Sequence, residues 1–216
     1  MKSMLLIGLG RFGRHMAMEF ASLGNEVLAV DIDEEKIDAI APYVTSAQIG
    51  DCTKEAVLRS LGVRNFDYCV VALSKNFEAS LEITMSLKEM GAKCVIAKAG
   101  RDLHAKFLSR NGADEVIYPE RQMAERMAKR ISANNVFDYI ELSDDFTILE
   151  VPIRESWVGR TIEDVEVRTK FHINILAVKQ NGKIQPIIRA DHTFVAGEHL
   201  IVFGRKEDLL RFTGKL

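Results

Sequence analysis

The stretch Met4-Leu5-Leu6-Ile7-Gly8-Leu9-Gly10-Arg11-Phe12-Gly13 decides the fold of this 216-residue chain. Its first four residues are apolar without alternation, which suits a strand buried on both faces. The glycines that follow fit GxGxxG. From Arg11 a helical period takes over: Phe12, Met16, Phe20 and Leu23 share a side, and Gly24 stops it. Glu26–Val30 reads as a second strand and ends at Asp31, 21 residues after Gly10. A carboxylate at that distance suits ribose hydroxyls, and a loop without side chains lets a pyrophosphate reach the backbone and the helix N-terminus.

Reading outward, strands and helices keep alternating. Asp33 is an N-cap for a helix over 34–41. Ser46–Ile49 is a third strand, ending at Gly50-Asp51, and Thr53 caps a helix to about Leu61. Tyr68–Leu73, Lys93–Ala97 and Glu115–Tyr118 are strands four to six, separated by helices over Asn76–Met90 and Asp102–Arg110. Glu120–Ala133 is a further helix with Met123, Met127 and Ile131 on one side. Six such alternations predict an α/β fold: a Rossmann-like doubly wound parallel sheet over residues 1–140. After a polar break at 141–145 the pattern changes to a small α+β C-terminal module over 141–216. Its expected elements are a strand over Thr147–Ile153, a short helix over Thr161–Val165, and a hairpin of Ile173–Lys179 with Lys183–Ile188 around Asn181-Gly182. A strand over Glu198–Phe203 and a helix over Arg205–Phe212 close the chain.

Composition excludes several classes. Apolar residues make up 47% and charged residues 28%, an ordinary globular mix. Residues 1–140 carry 18 basic and 19 acidic side chains, and residues 141–216 carry 11 and 12. No half is basic, so nucleic acid is not an expected partner. The longest uncharged stretch, residues 39–50, is shorter than the roughly 20 apolar residues of a membrane span. The apolar start runs at once into the glycine loop, unlike a secretory leader. Cys52, Cys69 and Cys94 show no CxxC spacing and suit free thiols in a reducing cytosol.

In a doubly wound sheet, ligands bind outside the carboxyl ends of the strands. Those ends are Gly8, Asp31, Asp51, Ser74, Lys98 and Glu120, which predicts one polar crevice beside the glycine loop. Arg11, within the loop, can meet phosphate oxygens with a bidentate fork. That favours ADP or ATP; an arginine beside the pyrophosphate of NAD is the alternative. Asp31 would repel a 2′-phosphate, which disfavours NADP. Glu120 follows Pro119 and would stand near a triphosphate only with a cation between them; its other reading is a helix-start acid that complements the dipole. The chain lacks a Walker lysine, an HExxH motif and a metal-spaced Cys/His cluster. His15 and His104 fall on helices, and His172, His192 and His199 have no catalytic spacing. The short C-terminal module leaves little room for a substrate domain. A nucleotide sensor without catalysis is therefore the first reading, and a small NAD-dependent oxidoreductase the alternative.

Several ordered motifs carry a resemblance. Gly8-Leu9-Gly10-Arg11-Phe12-Gly13, Ala29-Val30-Asp31, Gly50-Asp51-Cys52-Thr53, Lys98-Ala99 with Asp102 and His104, and the run from Asn111 to Glu120 resemble the RCK (regulator of potassium conductance) family. The chain is most similar to its KtrA/TrkA-type cytosolic subunits of bacterial potassium uptake systems. The resemblance implies an N-terminal half that binds ATP, ADP or NAD(H). It implies homodimers that assemble into an octameric ring beneath a membrane potassium-transporting subunit of KtrB/TrkH type, and a cytoplasmic protein peripheral at the inner membrane face. Gly8, Gly10, Arg11, Phe12 and Gly13 would hold phosphates, with Arg11 on the terminal one. Asp31 and Asp33 would take the ribose, Asp51 and Cys52 would border the adenine, and Leu73 belongs to the same nucleotide-binding set. Lys98 would approach the phosphates or the crevice floor. Glu120 would lie near the nucleotide at a dimer interface and help bind a divalent cation. Cys52 stands where the family commonly has alanine. The C-terminal module resembles the TrkA-C domain, which in some members binds cyclic di-AMP; Arg168, Asn174, Ile175 and Pro186 stand where that site would lie. A plain dimer interface or hairpin surface is the other reading of those four residues.

Overall fold

A computed structural model of the chain describes residues 1–73, 75–132, 138–143, 145–186 and 188–214. Ser74, expected at a strand end, Ala133, expected at a helix end, Asp144 of the polar break and Ile187 of the hairpin lie outside the described residues. The chain forms two compact units, Met1–Gln122 and Met123–Leu216.

The first unit is a six-stranded parallel sheet: β1 (Ser3–Ile7), β2 (Glu26–Asp31), β3 (Ser46–Ile49), β4 (Tyr68–Val71), β5 (Val95–Lys98) and β6 (Glu115–Ile117). Spatial order is β3-β2-β1-β4-β5-β6, so the direction of winding reverses at β1 and opens a crevice there. Helices α1 (Arg11–Ser22), α2 (Glu34–Ile40), α3 (Glu55–Ser60), α4 (Phe77–Glu89) and α5 (Asp102–Arg110) connect the strands, and α6 (Pro119–Ser132) follows β6. The unbroken apolar run of β1 now has its reason. Leu5 and Ile7 pack with Leu58, Ile83, Leu87 and Leu108 of α3, α4 and α5. Met4 and Leu6 pack on the opposite face with Ala17, Ile37 and Ile40 of α1 and α2. Each such side chain stabilises the fold by about 1.5–3 kcal/mol when fully buried.

Local signals set the helix starts. Asp33 caps α2 by accepting the Glu35 N–H at 3.2 Å, and Asn76 caps α4 by accepting that of Ala79 at 3.1 Å. Thr53 does not cap α3, contrary to expectation: Lys54 holds that position without a side-chain bond. Asp51 organises the turn instead, with its Oδ1 accepting from the Thr53 N–H at 3.2 Å and Oγ1 at 2.7 Å. The short carboxylate reaches the backbone two residues on and draws the threonine hydroxyl away from the helix.

The second unit is an antiparallel sheet of β7 (Asp138–Glu141), β8 (Phe146–Pro152), β9 (Asn174–Gln180), β10 (Lys183–Gln185) and β11 (His199–Arg205), in the order β10-β9-β11-β8-β7. Among the described residues, a 3-10 turn at Glu155–Trp157 and three short α-helices accompany it: α7 (Ile162–Val165), α8 (Val167–Phe171) and α9 (Lys206–Thr213). One face of the sheet meets a core of Trp157, Phe194, Leu200, Val202, Leu209 and Phe212. The hairpin turn falls on Asn181-Gly182 as expected, with φ of 50° and 77°, the type I′ geometry that matches strand twist. Two elements were not foreseen. β7 pairs with β8 from Asp138↔Glu150 to Glu141↔Thr147, so the expected boundary at 140/141 falls inside a strand. α8 follows Glu166, a non-glycine residue at φ 54°.

Two predictions follow from packing in the first unit. A Cβ on Gly13 would lie 2.1 Å from the Gly8 carbonyl oxygen, a backbone atom that cannot step aside. Gly13→Val should therefore unfold the unit, read as loss of its melting transition. His104 is buried, with Nδ1 accepting the Gly100 N–H at 3.3 Å and Nε2 3.2 Å from Ser80 Oγ. Burial, aided by the Arg101 charge, holds its pKa below the ordinary histidine value. The unfolded chain then takes up the proton first, and stability falls as pH drops through about 6.5 and levels off at the lower folded value. His104→Gln should flatten the decline in melting temperature between about pH 7.5 and 5.5; an unchanged slope would place that decline elsewhere.

Candidate functional site

At the reversal point the ends of β1 to β4 enclose a cavity of about 150 Å³. Its wall is mainly apolar, from Ile7, Val30, Ile32, Cys52, Leu73, Ala79 and Ile83, with Gly8, Asp31, Asp51, Thr53 and Asn76 adding polar groups. An apolar slot with a polar rim suits a heterocyclic base next to a sugar. Gly8 has φ +98°, and a Cβ there would sit 2.7 Å from Leu73 Cδ2. The loop therefore passes close beside the β4 end.

Asp31 is the charged centre of this half of the site. Its Oδ2 accepts the Leu9 N–H at 2.6 Å, and its Oδ1 accepts the Asp33 N–H at 3.0 Å. The carboxylate thus ties the glycine loop to the start of α2. Lys36 lies 3.2 Å from both Asp31 Oδ1 and Asp33 Oδ2, and this ammonium lowers the Asp33 pKa. Cys52 forms part of the apolar wall; burial, reinforced by the charges of Asp51 and Asp31, pushes its thiol up to about 12.

A second group gathers at the ends of β5 and β6. Lys98 is buried and its Nζ lies 2.7 Å from Glu120 Oε1 and 5.7 Å from the centre of the Phe12 ring. Arg11 and Phe12 are the first two residues of α1, with Gly10 at the N-cap. The bond from Lys98 is the main cause of the lowered Glu120 pKa, and the charge of Arg11 adds to it. Two cations and one anion thus cluster where the N-terminus of α1 directs its unpaired N–H groups, an arrangement that attracts phosphate. Glu120 meets an ammonium here rather than other metal-type ligands. Among the described residues no group of three His, Cys, Asp or Glu side chains could hold a metal ion.

The expected residues therefore fall in two adjoining groups. Gly8, Asp31, Asp51, Cys52 and Leu73 line the cavity, and Arg11, Phe12, Lys98 and Glu120 form the charged cluster. Asp33 stands beside Asp31. Sequence reading missed Lys36, Ile32, Asn76, Ala79 and Ile83. Lys36 had a signal, since it lies one helical turn from Asp33. In the second unit Arg168, Asn174 and Ile175 line a cleft of about 470 Å³ with Ile162, Ile188 and Arg189. Pro186 is exposed and outside the cleft lining.

Sheet order, helices on both faces and the glycine loop put residues 1–122 in the Rossmann class of nucleotide-binding folds. The chain belongs to the TrkA family: the TrkA-N domain model matches residues 4–119 and the TrkA-C domain model residues 146–216. It is 41% identical to Ktr system potassium uptake protein C of Bacillus subtilis (strain 168) over 211 residues, 98% of this chain and 96% of that one. It is 40% identical to Ktr system potassium uptake protein A of the same organism, with 98% and 95% covered. Among solved structures, the GsuK channel bound to NAD shares the fold with a TM-score of 0.64 at 18% identity, covering 96% of this chain and 38% of that one.

A substitution at Gly10 tests phosphate binding by the loop apart from folding. Its backbone has φ −66°, and a Cβ there would meet nothing within 4 Å. Gly10→Ala should melt within about 0.5 kcal/mol of wild type while losing nucleotide affinity, because the methyl group projects into the space a pyrophosphate needs. Undiminished affinity in the folded variant, measured by calorimetry, would remove phosphate from this loop.

Proposed function

We propose that the chain is a non-enzymatic regulatory subunit of a potassium uptake system that responds to an adenine nucleotide, ADP or ATP, with NAD(H) the second ligand class. The observation that carries this reading is the Lys98–Glu120 pair beside Arg11. Glu120 sits in the first turn of α6, so a phosphate that competes for Lys98 and Arg11 alters the pairing at that helix start. The number of phosphate charges is thereby translated into a change in α6. NAD(H) stays in view because a protein of similar fold is described as bound to NAD. Regulation of potassium uptake rests on the names of the two Bacillus relatives.

The rest of the reading follows the same line. Met123 and Ile131 of α6 are 56% and 72% exposed, an apolar surface suited to a second copy. A homodimer, built into an octameric ring against a KtrB/TrkH-type membrane subunit, would carry the change in α6 to the transport path. Among the described residues no helix is long and apolar enough to cross a membrane; the subunit would be cytoplasmic and peripheral. The cleft at Arg168, Asn174 and Ile175 would take cyclic di-AMP, two arginines serving phosphates and the isoleucines a base.

Calorimetry with ATP, ADP, NAD⁺ and NADH tests the reading. Arg11→Ala should weaken ATP about tenfold more than ADP, the effect of one charge-assisted hydrogen bond. Equal losses for the two would contradict a terminal-phosphate role. Turnover of NADH with carbonyl compounds would sink the non-enzymatic assignment. Light scattering should show a species larger than a dimer at micromolar concentration, and a monomer would defeat the ring.

A further inference from the structure

Asp31 is almost fully occupied within the chain. A carboxylate offers about four lone-pair sites, and Asp31 uses three, for the Leu9 N–H, the Asp33 N–H and the Lys36 ammonium. The two neighbouring hydroxyls of a ribose need two. Two of the three present donors are backbone groups, fixed by the glycine loop and by the start of α2. The third is an ammonium on a flexible stem. Its side chain is 44% exposed, whereas that of Asp31 is 7%. Lys36 also has a second seat, Asp33 Oδ2, at the same 3.2 Å. Leaving Asp31 therefore takes only side-chain rotation and keeps the ammonium paired.

We propose that Lys36 is a displaceable internal cation that holds the ribose-diol seat on Asp31 and so sets how strongly the site prefers nucleotides with both ribose hydroxyls. The proposal rests on the nucleotide reading above and adds a specificity-determining residue to it. When a diol enters, its hydroxyls donate to Asp31 and Lys36 withdraws to Asp33 alone. That withdrawal is a cost borne by ligands that use the seat. A nucleotide without the hydroxyls leaves Lys36 in place and avoids it. Wild type therefore gains less from the diol than a bare carboxylate would.

The test compares ADP with 2′,3′-dideoxy-ADP on wild type, Lys36→Met and Lys36→Arg. Both ligands carry the same phosphates, so the general effect of losing a lysine charge cancels in the ratio of their dissociation constants. Methionine keeps a straight, helix-compatible stem, and melting curves check the fold; Lys36→Gln is the second variant should Lys36→Met not fold. In Lys36→Met or Lys36→Gln the ratio of dideoxy-ADP to ADP dissociation constants should rise about two- to fivefold, the scale of a partly exposed ion pair. Lys36→Arg should stay near wild type. An unchanged ratio would mean that Lys36 does not hold the seat. A lower ratio would mean that the ammonium stays and donates to the ribose, which also overturns the proposal. Binding of neither ligand by wild type would defeat the nucleotide reading itself, and this inference with it.

Discussion

Everything at the first site depends on one close approach, that of Gly13 to the Gly8 carbonyl oxygen. Without a side chain at position 13, the first turn of α1 rests directly on the end of β1. The helix axis then points its N–H groups over the strand ends rather than past them. The glycine loop is held from the other side by the Asp31 carboxylate through the Leu9 N–H. A backbone contact and a buried charge thus fix the loop before any ligand arrives. Such a site loses little chain entropy on binding, which favours affinity at a given contact area.

The two units solve burial differently. The parallel sheet is covered on both faces, so its central strand β1 is apolar from Met4 to Ile7 and the functional groups are pushed to strand ends and loops. The antiparallel sheet packs one face on an aromatic-rich core and keeps charges within its strands. Glu150 lies 2.7 Å from Lys179 and 2.9 Å from His199, a set of polar side chains across β8, β9 and β11. In the first unit, ion pairs stand at both ends of the strands, Asp31 with Lys36 at one and Asp67 with Lys93 at the other; in the second they also serve the sheet surface.

Most of the first unit was legible because each strand is a short apolar run and each helix has its own start and stop. Asp33 and Gly24 are local signals, and local signals survive without a structure. β7 was not legible: Asp-Tyr-Ile-Glu has no strand signature by itself and forms because β8 offers an edge. Nor was α8, which begins only because Glu166 accepts a left-handed backbone. At the site, the glycine loop and Asp31 could be read from spacing, since both lie on one strand–helix–strand unit. The Lys98–Glu120 pair could not, because its members are 22 residues apart and meet only when β5 and β6 align. The role of Thr53 was misread for a smaller reason: Asp51, two residues upstream, accepts from its N–H and its hydroxyl, and the helix starts one residue later with Lys54 at the cap.

The thiol of Cys52 has a consequence of a different kind. With its pKa pushed up to about 12, the thiolate fraction at neutral pH is on the order of one in a hundred thousand. Only the thiolate attacks peroxides and other electrophiles at an appreciable rate, so sulfur in this wall behaves as a polarisable hydrocarbon surface. A base lying against it would meet a soft, inert contact. A pocket floored this way keeps its shape under oxidants that would alter an exposed cysteine. The chemical insulation of this one atom would keep the proposed response to nucleotide apart from any response to redox state.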